Sequence, residues 1–331
     1  YVGRVAVQGQ SVSFDWTGTY LRIAFEGKSL KLVCSDTKKD YLSLWLDKEM
    51  TDTPDQVLTV KGDTVLVLSE QLNTKRSAHQ VILQKRTEGE QGRLTIHEVI
   101  AAGELLPATP LKERQLEFIG DSYTCGFGAE ESLINDPFTP ETENAGKSFA
   151  AILSRRLDAD YVMIAHSGMG VCRNYNSKFA GYYMPERYLQ TFDMSRGDST
   201  RWNAKQDDFR PALTVIFLGS NDFSVGKTPN YKSFEEQYLT LLRAIRANYG
   251  EQHPILCCSK KGLTVLQQYI YKMLKASKME NVYYVPCHVG LFPDDEKHLG
   301  ACKHPSYEAH KKVATMLLPY VCSITGWDLP E

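Results

Sequence analysis

The first hundred residues alternate between apolar and polar positions over short stretches, which is the pattern of strands with one buried face. These stretches are 5–7, 12–14, 21–25, 30–33, 41–46, 57–60, 65–68, 79–83 and 94–100. Glycine and aspartate residues separate them, and no helical periodicity interrupts the series. The pattern predicts a β-sandwich of the jelly-roll type over residues 1–106.

A stiff segment at residues 107–113, with Pro107 and Pro110, is the predicted linker because proline suits neither a helix interior nor a central strand. Beyond it, buried strand patterns alternate with amphipathic helical patterns. The strands are 116–119, 161–165, 213–218, 254–257 and 282–285, and the main helices are 148–157, 231–249, 264–274 and 306–324. This alternation predicts a mostly parallel sheet in a three-layer α/β/α domain over residues 114–331.

Composition agrees with two globular domains, because 331 residues exceed one average domain and 42% of them are hydrophobic. A net charge of -2 gives no electrostatic reason to expect nucleic acid as a partner. No stretch contains 18 uninterrupted apolar residues, so no membrane span is predicted. The oligomeric state has no signature in the sequence.

The eight cysteines show no C-x-x-C pair, which favours free thiols over a disulfide framework. The sequence starts at Tyr1 and not at methionine. We therefore expect that a signal peptide was removed and that the protein is secreted or periplasmic.

Candidate chemistry lies at the ends of the predicted α/β strands, where open sheets keep their ligand sites. Ser122 follows the first of these strands in a Gly-Asp-Ser turn, and Gly168 and Gly170 follow the second. Asn221 follows the third strand in Gly-Ser-Asn-Asp, and His304 precedes the last helix in His-Pro. Each residue alone is an ordinary turn or cap residue.

Together these residues suit acyl transfer. A serine hydroxyl becomes a nucleophile when a base accepts its proton, and histidine has a suitable pKa. The tetrahedral intermediate needs donors directed at its oxyanion, for which the Ser122 and Gly170 N–H groups and the Asn221 amide are candidates.

In this order the motifs resemble the four blocks of the SGNH (GDSL-type) hydrolase superfamily. The preceding β-sandwich, the run from Ser167 to Tyr175 and the Phe14-Asp-Trp-Thr-Gly18 stretch are similar to carbohydrate esterase family 2, whose members include acetylxylan-esterase-like deacetylases. The resemblance extends over essentially the whole chain. It implies removal of O-acetyl groups from plant-type, xylan-like polysaccharides or oligosaccharides, with no cofactor.

The resemblance further implies that Ser122 is the nucleophile and His304 the general base and acid. Gly170 and Asn221 then complete the oxyanion hole, with Gly168 as the alternative glycine. Many superfamily members carry aspartate three positions before the histidine, where this chain has Ala301. We therefore expect a Ser–His dyad in which a backbone carbonyl orients His304, although the acidic residues 294–296 could fold back towards it.

Two other functions stay open at this point: an SGNH esterase or lipase for another acyl group, and a carbohydrate-binding protein without catalysis. The intact Ser122, Asn221 and His304 argue against the second. A metal site at His298, Cys302 and His304 is disfavoured because that spacing fits no common site. Candidates for stacking on sugar rings are Tyr123, Tyr175 and Trp202.

Overall fold

The computed structural model describes residues 1–70, 78–178, 181–194 and 200–330, and it begins with a strand-rich domain. Its strands are β1 (Ala6–Gln8), β2 (Ser11–Phe14), β3 (Tyr20–Leu46), β4 (Gln56–Ser69), β5 (His79–Lys85) and β6 (Leu94–Leu105). All of them pair antiparallel, in the order β1-β2-β6-β3-β4, with β5 paired to β3. The predicted all-β domain is confirmed.

The long strand β3 folds this sheet back on itself. Residues 20–25 of β3 pair with one edge of β5, and residues 42–46 pair with the other edge. Between them, the middle of β3 pairs with β6 on one side and with β4 on the other. Alternate apolar side chains from both halves of the folded sheet point inward and form one buried core, which includes Phe14, Leu32, Leu44, Leu66, Leu83 and Ile96.

Three predicted short strands thus prove to be one strand of 27 residues. Gly27 and Asp36, which the sequence presents as turn residues, lie at shifts in the strand register instead. Gly27 has φ +125°, and an added Cβ would lie 2.1 Å from the carbonyl oxygen of Ala102 on β6. Glycine is required there because the two strand backbones approach closely at the bulge.

The second domain contains a five-stranded parallel sheet, as predicted. Its strands are β7 (Gln115–Gly120), β8 (Asp160–Ala165), β9 (Leu213–Phe217), β10 (Ile255–Ser259) and β11 (Val282–Pro286). Its helices are α1 (Ser122–Cys125), α2 (Phe149–Arg156), α3 (Met184–Arg187), α4 (Tyr231–Tyr249), α5 (Thr264–Ser277) and α6 (Tyr307–Thr325). Short 3₁₀ turns connect several of these elements.

The strand order β11-β10-β9-β7-β8 determines where the chemistry lies. The chain adds β8 on one side of β7 and then β9 on the other, so the connections diverge at the end of β7. Helices cover both faces: Phe118 of β7 contacts Phe149 of α2, whereas its neighbour Glu117 accepts a hydrogen bond from Tyr249 of α4. A crevice opens at such a divergence, beyond the carboxyl ends of the strands.

The strand-rich domain packs against β8, the edge strand of the parallel sheet. The Tyr20 hydroxyl donates to Asp160 at 2.6 Å, and the Gln84 amide donates to the Tyr161 hydroxyl at 2.6 Å. Trp45 and Ile82 belong to the apolar core of the α/β domain. One half of the folded sheet is therefore buried on both faces, which ties the two domains together. Residues 106–114, between β6 and β7, form neither helix nor strand.

Within the described ranges, no helix combines the length and low charge needed to cross a bilayer. All eight cysteines are described, and none forms a disulfide.

Candidate active site

Ser122 is the first residue of α1 and is separated from the end of β7 only by Asp121. Asp121 caps the helix with an extended backbone, and its carboxylate accepts from the Tyr123 N–H at 3.2 Å. An added Cβ at Gly120 would lie 2.0 Å from the Thr124 hydroxyl oxygen, so only glycine permits this turn. The turn brings Ser122 to the crevice, with 6% of its surface exposed.

His304 approaches Ser122 from the segment before α6. Its Nε2 lies 2.9 Å from Ser122 Oγ. The two preceding residues, Cys302 and Lys303, both have left-handed backbones, with φ of 50° and 60°. Such conformations cost free energy for residues other than glycine and concentrate at functional sites. The strained turn at Cys302 and Lys303 thus positions the His304 imidazole beside the Ser122 hydroxyl.

Aromatic rings hold the imidazole of His304. Phe127 lies with its ring centroid 4.3 Å from that of His304, and Phe138 stacks on the other side of Phe127 at 4.0 Å. Burial lowers the pKa of His304 to about 4, although the backbone carbonyls of Cys302 and Ala301 oppose this shift. At neutral pH the imidazole is therefore uncharged, and Nε2 is available to accept the Ser122 proton.

No described carboxylate stands behind His304. Its Nδ1 is buried and makes no hydrogen bond of good geometry with a described residue, although the Cys302 and Ala301 carbonyls lie near enough to favour the charged ring. The upstream acids have other partners: Asp294 pairs with Lys261 at 2.6 Å, and Asp295 contacts His298 at 2.7 Å. The geometry is that of a dyad. The orientation of His304 by a backbone carbonyl stays a prediction.

Asn221 lies after β9, beside Ser122. Its Nδ2 donates to the Met169 carbonyl at 2.9 Å and to Asp121 Oδ2 at 3.1 Å. Because both partners are acceptors, they orient the amide with its nitrogen towards Asp121 and Met169. Burial raises the pKa of Asp121 to about 6, so this carboxyl is still mostly ionised at neutral pH.

The glycine of the oxyanion hole needs correction. The Gly170 N–H donates to Asn174 Oδ1 at 2.9 Å, so it is already engaged. An added Cβ there would lie 2.0 Å from the Arg173 carbonyl oxygen, which indicates that Gly170 is required for loop packing. Gly168, the alternative, lines the crevice, and its N–H has no hydrogen-bond partner among the described residues. The structure favours Gly168 as the donor.

Two aspartates that the sequence analysis did not single out organise these loops. Besides capping α1, Asp121 accepts a hydrogen bond from the Ser220 hydroxyl at 2.8 Å, which joins the ends of β7 and β9. Asp222 accepts from the N–H groups of Val171 and Cys172, both at 2.8 Å. The sequence did contain a signal for both aspartates: Asp121 directly precedes Ser122 in Gly-Asp-Ser, and Asp222 directly follows Asn221 in Asn-Asp.

A cavity of about 670 Å³ surrounds Ser122 and His304, a volume typical of small-molecule sites. The α/β domain lines it with Phe127, Phe138, Ser167, Gly168, Met169, Tyr175, Lys178, Asn221 and Cys302. The strand-rich domain contributes Lys38, Glu88, Glu90 and Gln91. Sequence reasoning missed this second group because the segments that carry it contain no catalytic motif and are not adjacent to Ser122 in the sequence.

A buried charged cluster at the domain junction supports the turn that carries Glu88 and Glu90. His166, directly after β8, contacts Asp193 at 2.7 Å through Nδ1 and Glu90 at 3.4 Å through Nε2. Burial alone would lower the pKa of His166, but Asp193 and Glu88 raise it to about 10. His166 is thus an imidazolium, while Glu88 accepts the neighbouring Ser167 N–H at 2.5 Å.

No bound metal is predicted from the sequence. In the described part of the chain, one group of residues has side chains of the ligand type: Glu88, Cys125 and Glu143, whose ligand atoms lie within 4.8 Å of one another. Burial raises the pKa of both the Cys125 thiol and the Glu143 carboxyl, whereas a metal ligand must be deprotonated. Cys302 contacts the Asp136 carbonyl, and His298 contacts Asp295.

Of the three aromatic candidates, one reaches the cavity. Tyr175 is 49% exposed at its rim. Tyr123 stacks on Phe217 with ring centroids 5.5 Å apart, and Trp202 lies 3.8 Å beneath the Arg4 guanidinium outside the cavity. Tyr123 and Trp202 therefore serve packing.

Known proteins share both domains of this chain. The carbohydrate esterase 2 N-terminal model matches residues 1–110, and the GDSL-like lipase/acylhydrolase family model matches residues 118–312. The cellulase/esterase CelE of Acetivibrio thermocellus is 30% identical in an alignment of length 323 that covers 94% of this chain but only 38% of CelE. An acetylxylan esterase / glucomannan deacetylase of Cellvibrio japonicus is 26% identical, over 96% of this chain and 89% of that protein.

The same relationship appears in three dimensions. The structure of a family two carbohydrate esterase from Clostridium thermocellum, solved with cellohexaose, superposes with a TM-score of 0.88 and 29% identity over 99% of both chains. The family resemblance carried by the sequence motifs is thereby confirmed. This chain belongs to the GDSL-like lipase/acylhydrolase family, and both of its domains are similar to those of family 2 carbohydrate esterases.

Proposed function

We propose that this chain removes O-acetyl groups from plant-type, xylan-like polysaccharides or oligosaccharides through an acyl-serine intermediate. The observation that carries the proposal is the 2.9 Å contact between Ser122 Oγ and the uncharged His304 Nε2, in a cavity that both domains line. In this reaction Ser122 Oγ attacks the acetyl carbon while His304 Nε2 takes the hydroxyl proton.

When the tetrahedral intermediate collapses, the bond from the acetyl carbon to the sugar oxygen breaks, and that oxygen takes the proton from His304 and leaves as a hydroxyl. Water then attacks the acetyl-serine, His304 again acts as base, and acetate leaves. The oxyanion is stabilised by the backbone N–H groups of Ser122 and Gly168 and by the Asn221 amide. The amide hydrogens of Asn221 already point at Met169 and Asp121, so one of them must be shared with the oxyanion.

A carbohydrate acetyl ester as substrate is supported by the relatives and by the cavity. The Cellvibrio japonicus relative is named an acetylxylan esterase / glucomannan deacetylase, and the Clostridium thermocellum esterase was solved with a β-glucan oligosaccharide, cellohexaose. Polar and charged side chains from both domains line this cavity beside the apolar surface of Phe127, Phe138 and Met169. The polar groups offer hydrogen-bond partners to the free hydroxyls of a sugar.

Replacement of Ser122 by alanine tests the nucleophile. We expect acetate release from acetylated xylan and from 4-nitrophenyl acetate to fall by at least about 10⁴-fold, because no other group can form the acyl intermediate. Ser132→Ala, at an exposed serine, is the control and should retain full activity. Equal rates for Ser122→Ala and the wild type would refute the assignment.

A series of 4-nitrophenyl esters from acetyl to octanoyl separates deacetylation from other acyl specificities. We expect the acetyl ester to react fastest, and a preference for longer chains would favour the alternative of a general esterase or lipase. A role in polysaccharide degradation outside the cell, after secretion or export to the periplasm, belongs to the same proposal.

A further inference from the structure

We propose that Glu90 of the strand-rich domain determines substrate specificity by accepting a hydrogen bond from a free sugar hydroxyl near the acetylated position. The inference rests on the proposed function and adds a residue of the neighbouring domain to the site. It predicts that the enzyme recognises partly acetylated sugars, which keep free hydroxyls, better than fully acetylated ones.

Glu90 belongs to the lining of the cavity that contains Ser122 and His304, and 48% of its side chain is exposed. One carboxylate oxygen lies 3.4 Å from His166 Nε2, and the other has no partner among the described residues. A half-exposed carboxylate with a free oxygen is a suitable acceptor for hydroxyl groups.

The backbone around Glu90 is fixed before any substrate binds. The Gln91 N–H donates to the Glu88 carbonyl at 3.1 Å and closes a tight turn. The Gly89 N–H donates to Asp193 at 3.1 Å, and the Lys38 ammonium donates to the Glu90 carbonyl at 2.7 Å. An acceptor that is already positioned loses little entropy on binding its ligand, which favours recognition.

His166 keeps the Glu90 carboxylate ionised and oriented. The contact with its imidazolium lowers the pKa of Glu90, so the side chain is charged throughout the neutral range. His166 follows β8 directly, and its N–H donates to the Gly120 carbonyl, two residues before Ser122, at 3.3 Å. The acceptor in one domain is thus connected through one imidazolium to the strand end that carries the nucleophile.

Glu90→Gln tests the proposal, because it keeps the shape of the side chain and removes the charge. Three substrates are compared: a xylo-oligosaccharide with a single acetyl group, the same oligosaccharide fully acetylated, and 4-nitrophenyl acetate, which has no hydroxyl. We expect kcat/KM to fall about tenfold or more for the first and to change less than about twofold for the others, as a charged acceptor is lost.

The matched control is Glu98→Gln, at an exposed glutamate of β6 outside the cavity, and it should change none of the three rates. An equal loss on all three substrates would overturn the proposal and assign Glu90 a purely structural role as the partner of His166. No loss on any of them would also overturn it. A wild type that hydrolyses 4-nitrophenyl acetate but neither oligosaccharide would refute the proposed function itself.

Discussion

The two domains contribute to the site in different ways. The α/β domain supplies the reacting groups, and each of Ser122, Gly168 and Asn221 lies just beyond the end of one of three adjacent parallel strands. The strand-rich domain supplies Glu88 and Glu90 from a single turn after β5. Chemistry is thus positioned by the order of neighbouring strands, whereas the recognition wall is positioned by packing between domains.

Two histidines, the partly buried His304 and the fully buried His166, show a similar contrast in their charge. His304, in the α/β domain, has aromatic neighbours and no carboxylate partner among the described residues, and burial lowers its pKa to about 4. His166, at the junction, faces Asp193, Glu88 and Glu90, and its pKa is raised to about 10. Burial disfavours the charged form of both rings, so the nearby carboxylates decide which one is charged. The uncharged His304 is suited to act as a base, whereas the charged His166 is suited to bind the surrounding carboxylates.

Asn221→Ala gives the largest effect that we expect from a change within the α/β domain other than at the dyad. Removal of one oxyanion donor lowers kcat by about 10²- to 10³-fold, because that stabilisation exists mainly in the transition state. KM should change little. Steady-state kinetics on 4-nitrophenyl acetate measures both parameters.

The control is Asn230→Ala, which removes the cap of α4 far from the cavity and costs about 1 kcal/mol of stability without an effect on kcat. A loss of less than tenfold in Asn221→Ala would mean that the Ser122 and glycine N–H groups suffice. The amide would then only tie β9 to Asp121 and to the Met169 carbonyl.

Glu88→Gln tests whether the strand-rich domain also affects the chemistry. Glu88 accepts the Ser167 N–H, one residue before Gly168. A neutral amide oxygen is a weaker acceptor than a carboxylate, so the glycine N–H should be less well positioned. We expect kcat to fall about tenfold on all acetyl esters alike, unlike the substrate-dependent loss in Glu90→Gln, and KM to stay unchanged.

Glu143→Gln is the matched control for that variant. Glu143 accepts the Glu88 N–H at 3.3 Å, and burial holds the pKa of its carboxyl well above the ordinary range. Glutamine keeps the shape of this side chain and an oxygen that can accept the Glu88 N–H, so kcat should be retained. If Glu88→Gln matched the wild type in kcat, the two domains would share only substrate recognition.

The sequence predicts the α/β domain better than the strand-rich one. Helix α4 is found at the predicted residues 231–249, and strands β7–β11 lie within two residues of the apolar runs. Those runs are continuous because both sheet faces are covered. In the strand-rich domain, Gly27 and Asp36 are turn residues in type but lie at bulges, because partners on β4 and β6 continue the pairing past them.

The site divides in the same manner. Ser122, Asn221 and His304 meet at one cavity, as their positions at strand ends predicted. The choice between Gly168 and Gly170 depends on the Asn174 side chain, which no local pattern reveals. Glu88 and Glu90 escaped notice because their approach to His166 depends on contacts between residues about 80 positions apart.

The pH dependence of kcat/KM gives the smallest effect and the sharpest test of the contrast between the two histidines. His304 must be uncharged to accept the Ser122 proton, so activity falls as the pH drops through its pKa. With that pKa near 4, the rate should halve at about pH 4, after a shallow step near 6 where Asp121 titrates. Circular dichroism must show an intact fold at each pH.

A main acid limb at about 6.5, the ordinary histidine value, would mean that a carboxylate or carbonyl stabilises the imidazolium. His304 would then have an orienting partner, as His166 has, and the two histidines would no longer differ in this respect.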